Sequence, residues 1–452
     1  MTSTSLISTS NRFSRTVICI ATALYVVFVC RISHVEDLTY ISLAVVNAII
    51  CSWHMFSTRV GEYTLSKFIN LFILVFFVMA NAIQYGEDTL TLTFVLTFTE
   101  EDYQSFQLTT FIILIIYNTL YYHWASPRSR CNLFINNSEQ PNVSSSRLVL
   151  ISFISSLAVF VFFNFNPYLL FYRVYLDEYL GLTYDSDAMS YLIFDKLIRP
   201  IPISCYIISL LTKTAPRGRL ILFILALATE FPLGVARNAA AMYWLPVILI
   251  VLERFLRGNR VMWMMIAGLF LVFPALDMVR YKNPVNQNIE TGIAYLNTMN
   301  YDASQLFMAT MKTETITYGN QLSGALLFFV PRSVWPEKPK GSGHFLTEKY
   351  NGVFNNVSMP FFAEGYINFG WFGIIGFTVF IALLTSKIDQ SFWNAKRRKS
   401  KSYKLGYYLF LLGAIIFIMR GDLLSSTAYF VGTMGGYFIT FTLVKIPQIR
   451  KR

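Results

Sequence analysis

Long apolar runs, separated by short polar or charged segments, occupy most of the chain. Twelve of them are long enough, or nearly so, to cross about 30 Å of hydrocarbon as helices. They lie at residues 16–32, 38–56, 66–84, 104–122, 148–166, 199–212, 218–233, 238–252, 261–278, 369–386, 405–419 and 423–444. The sixth run opens with Pro200 and Pro202, which leaves its start poorly defined. The pattern predicts an all-α polytopic membrane protein with about 12 transmembrane helices.

The composition excludes a water-soluble enzyme. Hydrophobic residues make up 55% of the chain and charged residues 14%, whereas soluble proteins average about 25% charged residues. The five cysteines lie in apolar runs or alone in a loop, so they predict neither a disulfide framework nor a metal site.

The net charge of +12 has a simple explanation in a membrane protein. Such proteins concentrate Lys and Arg in their cytoplasmic loops, and a cytoplasmic N-terminus makes every second loop of this chain basic. We therefore expect both termini to be cytoplasmic. The basic run from Lys396 to Lys401 is then a cytoplasmic segment that favours anionic lipid, and no nucleic acid is an expected partner.

The same pattern divides the chain into five regions. These are N-terminal transmembrane helices (1–166), an outer loop (167–198), central transmembrane helices (199–278), a large outer loop (279–368), and C-terminal transmembrane helices with a basic cytoplasmic tail (369–452). In the large loop the apolar stretch from Leu322 to Val330 is too short to span a bilayer. It predicts a re-entrant or interfacial helix.

Several basic residues depart from this charge pattern because they lie at outer helix ends or in the large outer loop. They are Arg237, Arg280, Lys282, Arg332, Lys338, Lys340 and Arg420. An arginine near the apolar region costs about 2.5–3.5 kcal/mol on insertion scales unless it is paired or snorkels. Any one of them could be paired, for example with Asp277 or Asp422. Because guanidinium groups match phosphate oxygens bidentately, the set predicts an outer anion site suited to a pyrophosphate.

Two side chains of the same loop could move a proton. Glu364 lies just before the tenth apolar run and could act as a general base, or could instead pair with an arginine. His344 is the second candidate, with a structural role as the alternative. The histidines show no metal-ligand spacing, the spacing of Asp185, Asp187 and Asp195 is generic, and no nucleotide motif is present. We therefore predict no metal and no cofactor.

Three segments resemble the Wzy family, the polymerases of O-antigen and related oligosaccharide repeat units. Residues 234–238, Gly-Val-Ala-Arg-Asn, resemble the arginine at an outer helix start of that family. Residues 328–339 resemble its aromatic-Pro-x-x-x-Trp-Pro-x-basic-Pro loop, and residues 364–371 resemble its Glu-x-Tyr-x-Asn-Phe-Gly-Trp entry to a late helix. The resemblance covers the C-terminal half, while the N-terminal half is similar only in hydropathy.

The resemblance implies a glycosyltransferase of the bacterial inner membrane that acts at the periplasmic face. Its substrates would be undecaprenyl-pyrophosphate-linked oligosaccharides, and the growing glycan would pass from its lipid pyrophosphate to a hydroxyl of an incoming lipid-linked unit. The fold would resemble the type C glycosyltransferases and the O-antigen ligases. A chain-length regulator and a flippase would be partners, in addition to membrane lipid.

The resemblance also suggests a role for each candidate residue. The residues that would clamp the donor pyrophosphate and stabilise the leaving group are Arg237, Arg280, Arg332 and Arg420, with Lys282, Lys338 and Lys340 adding positive charge. Glu364 would be the first choice as base and His344 the second, and the residues lining the sugar path would be Tyr281, Tyr366 and Asn368.

Two other functions remain open. A lipid-linked oligosaccharide flippase would also have about twelve spans and bind pyrophosphate, but its charges would line a central cavity rather than cluster at one face. An O-antigen ligase would share the fold type and the donor and differ in its acceptor. The segments around Trp335 and Asn368 favour the polymerase.

Overall fold

The computed structural model describes residues 2–125, 133–134, 143–172, 193–212, 216–280, 294–398 and 402–445. Side chains are described for all of these except residues 2–12, 216 and 277–280. Within these ranges the chain is helical, and its one extended pairing is an isolated bridge between Val143 and Lys445.

Seventeen α-helices form the described fold. They are α1 (Thr2–Ile32), α2 (Leu38–Met55), α3 (Leu65–Gly86), α4 (Glu100–Trp124), α5 (Ser145–Phe162), α6 (Pro167–Phe171), α7 (Ile201–Thr212), α8 (Pro216–Thr229), α9 (Arg237–Val251), α10 (Arg260–Ala267), α11 (Phe273–Arg280), α12 (Ala303–Lys312), α13 (Asn320–Leu326), α14 (Ser342–Lys349), α15 (Phe361–Arg397), α16 (Leu405–Arg420) and α17 (Leu423–Val444). The π-helical segment Ile73–Met79 lies inside α3, Phe194–Ile198 precedes α7, and Gly268–Val272 joins α10 to α11.

In this part of the chain, six helices are long and apolar enough to cross a membrane: α1, in its part Phe13–Ile32, α2, α3, α5, α15 and α17. This confirms an all-α protein and indicates that it is membrane-embedded. Shorter apolar helices occupy the eighth, ninth and eleventh predicted runs. The number of twelve spans, the choice of membrane and the orientation stay predictions.

Helix α3 is the centre of the first of two helix groups. All of its apolar window is buried, because α2, α15 and α16 pack around it. Its polar residues are satisfied inside the bundle, as buried amides must be to avoid a desolvation cost. Asn70 and Asn118 of α4 exchange hydrogen bonds of 3.1 Å, and Tyr40 of α2 donates to Asn81 over 2.8 Å.

A second group consists of α5, α7, α8, α9 and α17. Its core contains Tyr243 and Tyr437, both fully buried. Helix α16 belongs to both groups, since it packs against α3 on one side and against α9 and α17 on the other. We call the end of the bundle at which α3 begins the inner end, and the end at which α3 finishes the outer end, after the orientation that the charge pattern predicts.

The described part of the large loop, residues 294–360, packs onto the outer end of the bundle. Its helix α12 lies against α3, α4 and α15, and α13 lies against α15 and α17. The predicted interfacial helix at Leu322 to Val330 is shorter than its apolar stretch, because α13 ends at Leu326 and a turn follows. The side chains of Leu326 and Phe329 are exposed.

Candidate functional site

Helix α15 is broken at its outer end into two antiparallel arms, residues 361–368 and 371–397. Phe369 has φ −143° and ψ 19°, and Gly370 has φ 61° and ψ −144°, a conformation that side chains other than glycine rarely adopt. The rings of Phe361 and Phe377 are 5.1 Å apart, which is possible only if the second arm turns back along the first. The tenth apolar run therefore begins at a sharp turn.

Small residues allow the two arms to lie in contact. A β-carbon at Gly365 would lie 2.6 Å from the carbonyl oxygen of Gly373. This distance is too short for any side chain, so only glycine fits at position 365. Tyr366 is buried, and its ring meets that of Trp371 at 5.7 Å across the turn. The structure thus places Tyr366 inside the joint between the arms.

Asn368 closes the end of the first arm. Its Nδ2 donates to the carbonyl of Glu364 over 2.8 Å, and its Oδ1 accepts from the backbone N–H of Leu322 over 2.8 Å. The backbone N–H groups of Thr317 and Gly319 donate to the carbonyls of Ile367 and Asn368. The last carbonyls of the arm would otherwise be left without partners, so this turn of the loop completes the helix end.

Glu364 is buried on the first arm, with 1% of its surface exposed. Its Oε2 accepts from the hydroxyl of Ser342 over 2.7 Å, and its Oε1 accepts from the backbone N–H of Leu423 over 2.8 Å. The carboxylate therefore caps the start of α17 and ties it to the start of α14. Its hydrogen-bond donors are a hydroxyl and a main-chain amide rather than an arginine.

Asp422 is a second carboxylate beside Glu364. It is the N-cap of α17, where its Oδ1 accepts from Ser425 N over 2.9 Å, and Gly341 lies directly against it. Burial raises the pKa of Asp422, and the hydrogen bonds from Ser425 oppose that shift. The start of α17 is thus flanked by two carboxylates.

Four basic side chains gather on the outer surface next to these carboxylates, and we call them the basic cluster. They are Arg332, Lys338, Lys340 and His344. Arg332 Nη1 donates to the carbonyl of Lys338 over 2.7 Å, and Lys338 Nζ donates to the carbonyl of Val330 over 2.9 Å. Burial and then the nearby Arg332 lower the pKa of Lys338.

His344 lies in the first turn of α14, beside Arg332 and Lys340 of the basic cluster. Burial, followed by the positive charge of Lys340, lowers the pKa of His344, and Glu348 opposes the shift. Lys340 Nζ pairs with a Glu348 oxygen over 2.8 Å, and this hydrogen bond lowers the pKa of Glu348. The imidazole therefore favours the neutral form, which can accept a proton.

Arg237 and Arg420 lie outside the basic cluster, and both bind one segment of the large outer loop, residues 295–302. Arg237 donates to Tyr295 Oη over 3.1 Å and to Asn300 Oδ1 over 2.8 Å. Arg420 pairs with Asp302 over 2.8 Å, at a site where Asp302 is 3% exposed. Both arginines thereby fix residues 295–302 onto the ends of α9 and α16.

The predicted arginine clamp is therefore distributed over two places. Arg332 belongs to the basic cluster, whereas Arg237 and Arg420 contact the loop segment 295–302. The two places adjoin the same turn between α16 and α17. Arg280 ends α11, but its side chain, together with Tyr281 and Lys282, lies outside the described residues.

A buried ionic group lies in the second helix group. Of its four members, only Asp195 was a candidate from the sequence. Asp195 pairs with Lys196 and with Arg199, the latter over 2.9 Å, and Arg199 Nε lies 3.7 Å from a Glu230 oxygen. Asp195, Lys196 and Arg199 lie within four residues of one another, whereas Glu230 lies just after the end of α8. Sequence spacing alone does not bring these two segments together. Across the described ranges, no group of three or more His, Cys, Asp or Glu side chains could hold a metal ion.

No protein-family model, no curated protein and no solved structure matches this chain. The resemblance of residues 234–238, 328–339 and 364–371 to the Wzy family therefore stays a prediction. What the structure adds is that Glu364 of the third segment accepts a hydrogen bond from Ser342, which lies three residues after the second segment, and another from Leu423 at the start of α17.

Proposed function

We propose that the protein is a polymerase of lipid-linked oligosaccharide repeat units, of the Wzy type, with about twelve spans in the bacterial inner membrane. Both termini would be cytoplasmic and the basic cluster would face the periplasm. The observation that supports this proposal best is the basic cluster itself, which lies beside two buried carboxylates at the outer end of the bundle. The substrates would be undecaprenyl-pyrophosphate-linked glycans.

The basic cluster would bind the pyrophosphate of the donor. Arg332 is exposed, and it uses one N–H group on the carbonyl of Lys338. A guanidinium carries five N–H groups, so Arg332 keeps donors for phosphate oxygens. Lys340 is 46% exposed, and its ion pair with Glu348 lies at the surface. Surface ion pairs contribute little free energy, so Lys340 would release Glu348 and bind the ligand at little cost. Positive charge at this place would stabilise the pyrophosphate as it leaves.

Arg237 and Arg420 would act as positioning residues rather than as ligands of the donor. Each binds residues 295–302, and Asp302 in turn accepts from the backbone N–H of Ser358 over 3.0 Å. Arg280, Tyr281 and Lys282 remain candidate donor-binding residues from the sequence pattern.

The geometry favours His344 over Glu364 as the base, which reverses the order expected from the sequence. Both oxygens of Glu364 hold hydrogen bonds inside the protein, whereas the His344 side chain is 28% exposed beside Arg332 and Lys340. In the proposed step the acceptor hydroxyl gives its proton to a His344 nitrogen and forms a bond to the anomeric carbon. The bond from that carbon to the pyrophosphate oxygen breaks, and the lipid pyrophosphate leaves with the electron pair.

Large apolar side chains are exposed in the same outer loop and at the turn of α15, and they would contact lipid or the polyprenyl chain of the donor. They are Tyr318, Leu326, Phe329, Val334, Phe369 and Phe372. Exposed apolar surface of this extent is uncommon on a protein surrounded by water. A lipid-linked substrate would place its chain here and its pyrophosphate on the basic cluster.

Reconstitution in liposomes with a lipid-pyrophosphate-linked repeat unit, and no other enzyme, would test the proposal. We expect a ladder of products spaced by one repeat unit, which Arg332→Ala abolishes while the protein stays folded. Arg257→Ala, which removes an exposed arginine from the inner end, should leave the ladder unchanged. Movement of the glycan between leaflets without a ladder would instead show a flippase, and transfer only to a lipid A core would show a ligase.

A further inference from the structure

A cavity of about 470 Å³ opens near the inner end of the first helix group, between α1 at Arg15, the end of α2 and the second half of α4. It is lined by Arg15, Ile50, Trp53, His54, Ser57, Arg59, Leu114, Ile115, Asn118, Thr119 and Tyr122. Asn118 in its wall pairs with Asn70 in the inner part of α3, about 24 Å of helix from the outer end at Gly86. The proposed polymerase chemistry does not involve it.

Two arginines point into the cavity, each held against an aromatic ring. The Arg15 guanidinium carbon lies 4.0 Å from the centre of the Trp53 ring, and its Nη2 donates to the Trp53 carbonyl over 2.6 Å. The Arg59 guanidinium carbon lies 5.4 Å from the centre of the Tyr122 ring. Stacking of this kind fixes the orientation of a guanidinium, whose planar N–H groups match the geometry of phosphate oxygens.

The remaining polar lining also suits an anion. No acidic side chain lines the cavity among the described residues. His54 Nδ1 is enclosed and has no hydrogen-bond partner in the described part of the chain, although an enclosed nitrogen normally has one. Ser57 also lines the cavity and accepts from the backbone N–H of Arg59. The cavity therefore combines two fixed positive charges with a ring nitrogen that lacks a partner.

The position of the cavity indicates a lipid rather than a free anion. Trp53 and Ile115 line it and are also exposed on the side of the helix group, at 40% and 44%. Ile112, one turn further along α4, is 44% exposed as well. A path of apolar side chains thus leads from the arginines along the outside of α4, where acyl chains of a lipid would lie.

We propose that this cavity binds the phosphate group of an anionic lipid, from the leaflet at which α1 begins. Arg15 and Arg59 bind the phosphate oxygens, and the lipid chains follow Ile115 and Ile112. Basic recesses between transmembrane helices bind lipid headgroups by the same physics, because the phosphate is paired without leaving the interface. The bound lipid would tie α1, α2 and α4 together at their inner ends.

The test uses the full-length protein, purified and stripped of lipid in a neutral detergent, with bound lipids counted by native mass spectrometry. Phosphatidylglycerol is titrated against phosphatidylcholine with the same acyl chains. We expect one tightly held phosphatidylglycerol in the wild-type protein, and about thirty-fold weaker binding after Arg15→Gln with Arg59→Gln. The matched control is Arg254→Gln with Arg257→Gln, which removes the same charge from exposed residues outside the cavity and should leave this lipid in place.

Arg15 also packs on Trp53, so its loss could disturb the fold. Arg59→Gln alone changes an exposed residue and should weaken binding about five-fold, with Arg59→Lys in between. Equal binding of both lipids, or an equal loss in the control pair, would overturn the site. Displacement of the lipid by millimolar inorganic phosphate would show that the cavity takes free phosphate, and would overturn the assignment to a lipid.

Discussion

Helix α15 carries a buried carboxylate near each of its ends, and the two differ in how completely they are paired. Asp389 accepts four hydrogen bonds: from the backbone N–H groups of Leu65 and Ser66 and from the hydroxyls of Tyr121 and Tyr408. Glu364 accepts two. A carboxylate has about four acceptor positions, so the first is saturated and the second is half filled.

The comparison separates a structural carboxylate from one that belongs to a site. Both cap the start of another helix, α3 for Asp389 and α17 for Glu364, and both are almost fully buried. Only Glu364 is held by a loop, through Ser342, and only Glu364 adjoins a basic cluster. A carboxylate with two acceptor positions still open, beside exposed cations, is an arrangement that a ligand hydroxyl could complete.

The largest effect should follow from Asp389→Ala, because it leaves four donors at the inner end without an acceptor. We expect a loss of about 3–5 kcal/mol in the free energy of unfolding, measured by titration with SDS in mixed micelles. Glu364→Ala should cost about half as much, since it leaves two donors. A larger loss for Glu364→Ala would reverse the comparison.

The next effect concerns the reaction rate and distinguishes the two candidate bases. His344→Gln should slow polymerisation at least about 10²-fold, the usual contribution of a general base. Glu364→Gln keeps an oxygen for the Leu423 N–H and an amide for Ser342, so we expect less than about a ten-fold loss. Initial rates in proteoliposomes measure both, and a greater loss for Glu364→Gln would make Glu364 the base.

A smaller effect should come from the turn that makes the two ends of α15 different. Gly370→Ala places a β-carbon on a residue with φ 61° and should destabilise the outer end by about 1–3 kcal/mol. Gly376→Ala is the control, because it lies in the same helix with open space around it. We expect faster proteolysis of the loop only in Gly370→Ala, and equal rates in both would show that the turn is not strained.

The sequence located most of the helices because an apolar run of membrane length leaves few alternatives. It placed Glu364 in a loop, whereas residues 361–368 form a helical arm that turns back along 371–397. Gly370 was the available signal, since a glycine can mark a backbone conformation that other residues rarely adopt. The pairing of Arg420 with Asp302, 118 positions apart, had no local signal, because such a contact is decided by the packing of the loop on the bundle.

The smallest expected effect is a shift in pH dependence, and it tests the electrostatics of the basic cluster. His344 must be neutral to act as a base, and its pKa is lowered by burial and by Lys340, so activity should be lost only as the pH falls through that lowered pKa. Lys340→Gln removes the positive charge and frees Glu348, and both changes raise the pKa of His344. The acid limb of the pH–rate profile should therefore move to higher pH, while Lys387→Gln, on the inner half of α15, leaves it in place. An unmoved acid limb in Lys340→Gln would remove His344 from the reaction and return the base to the half-filled carboxylate of Glu364.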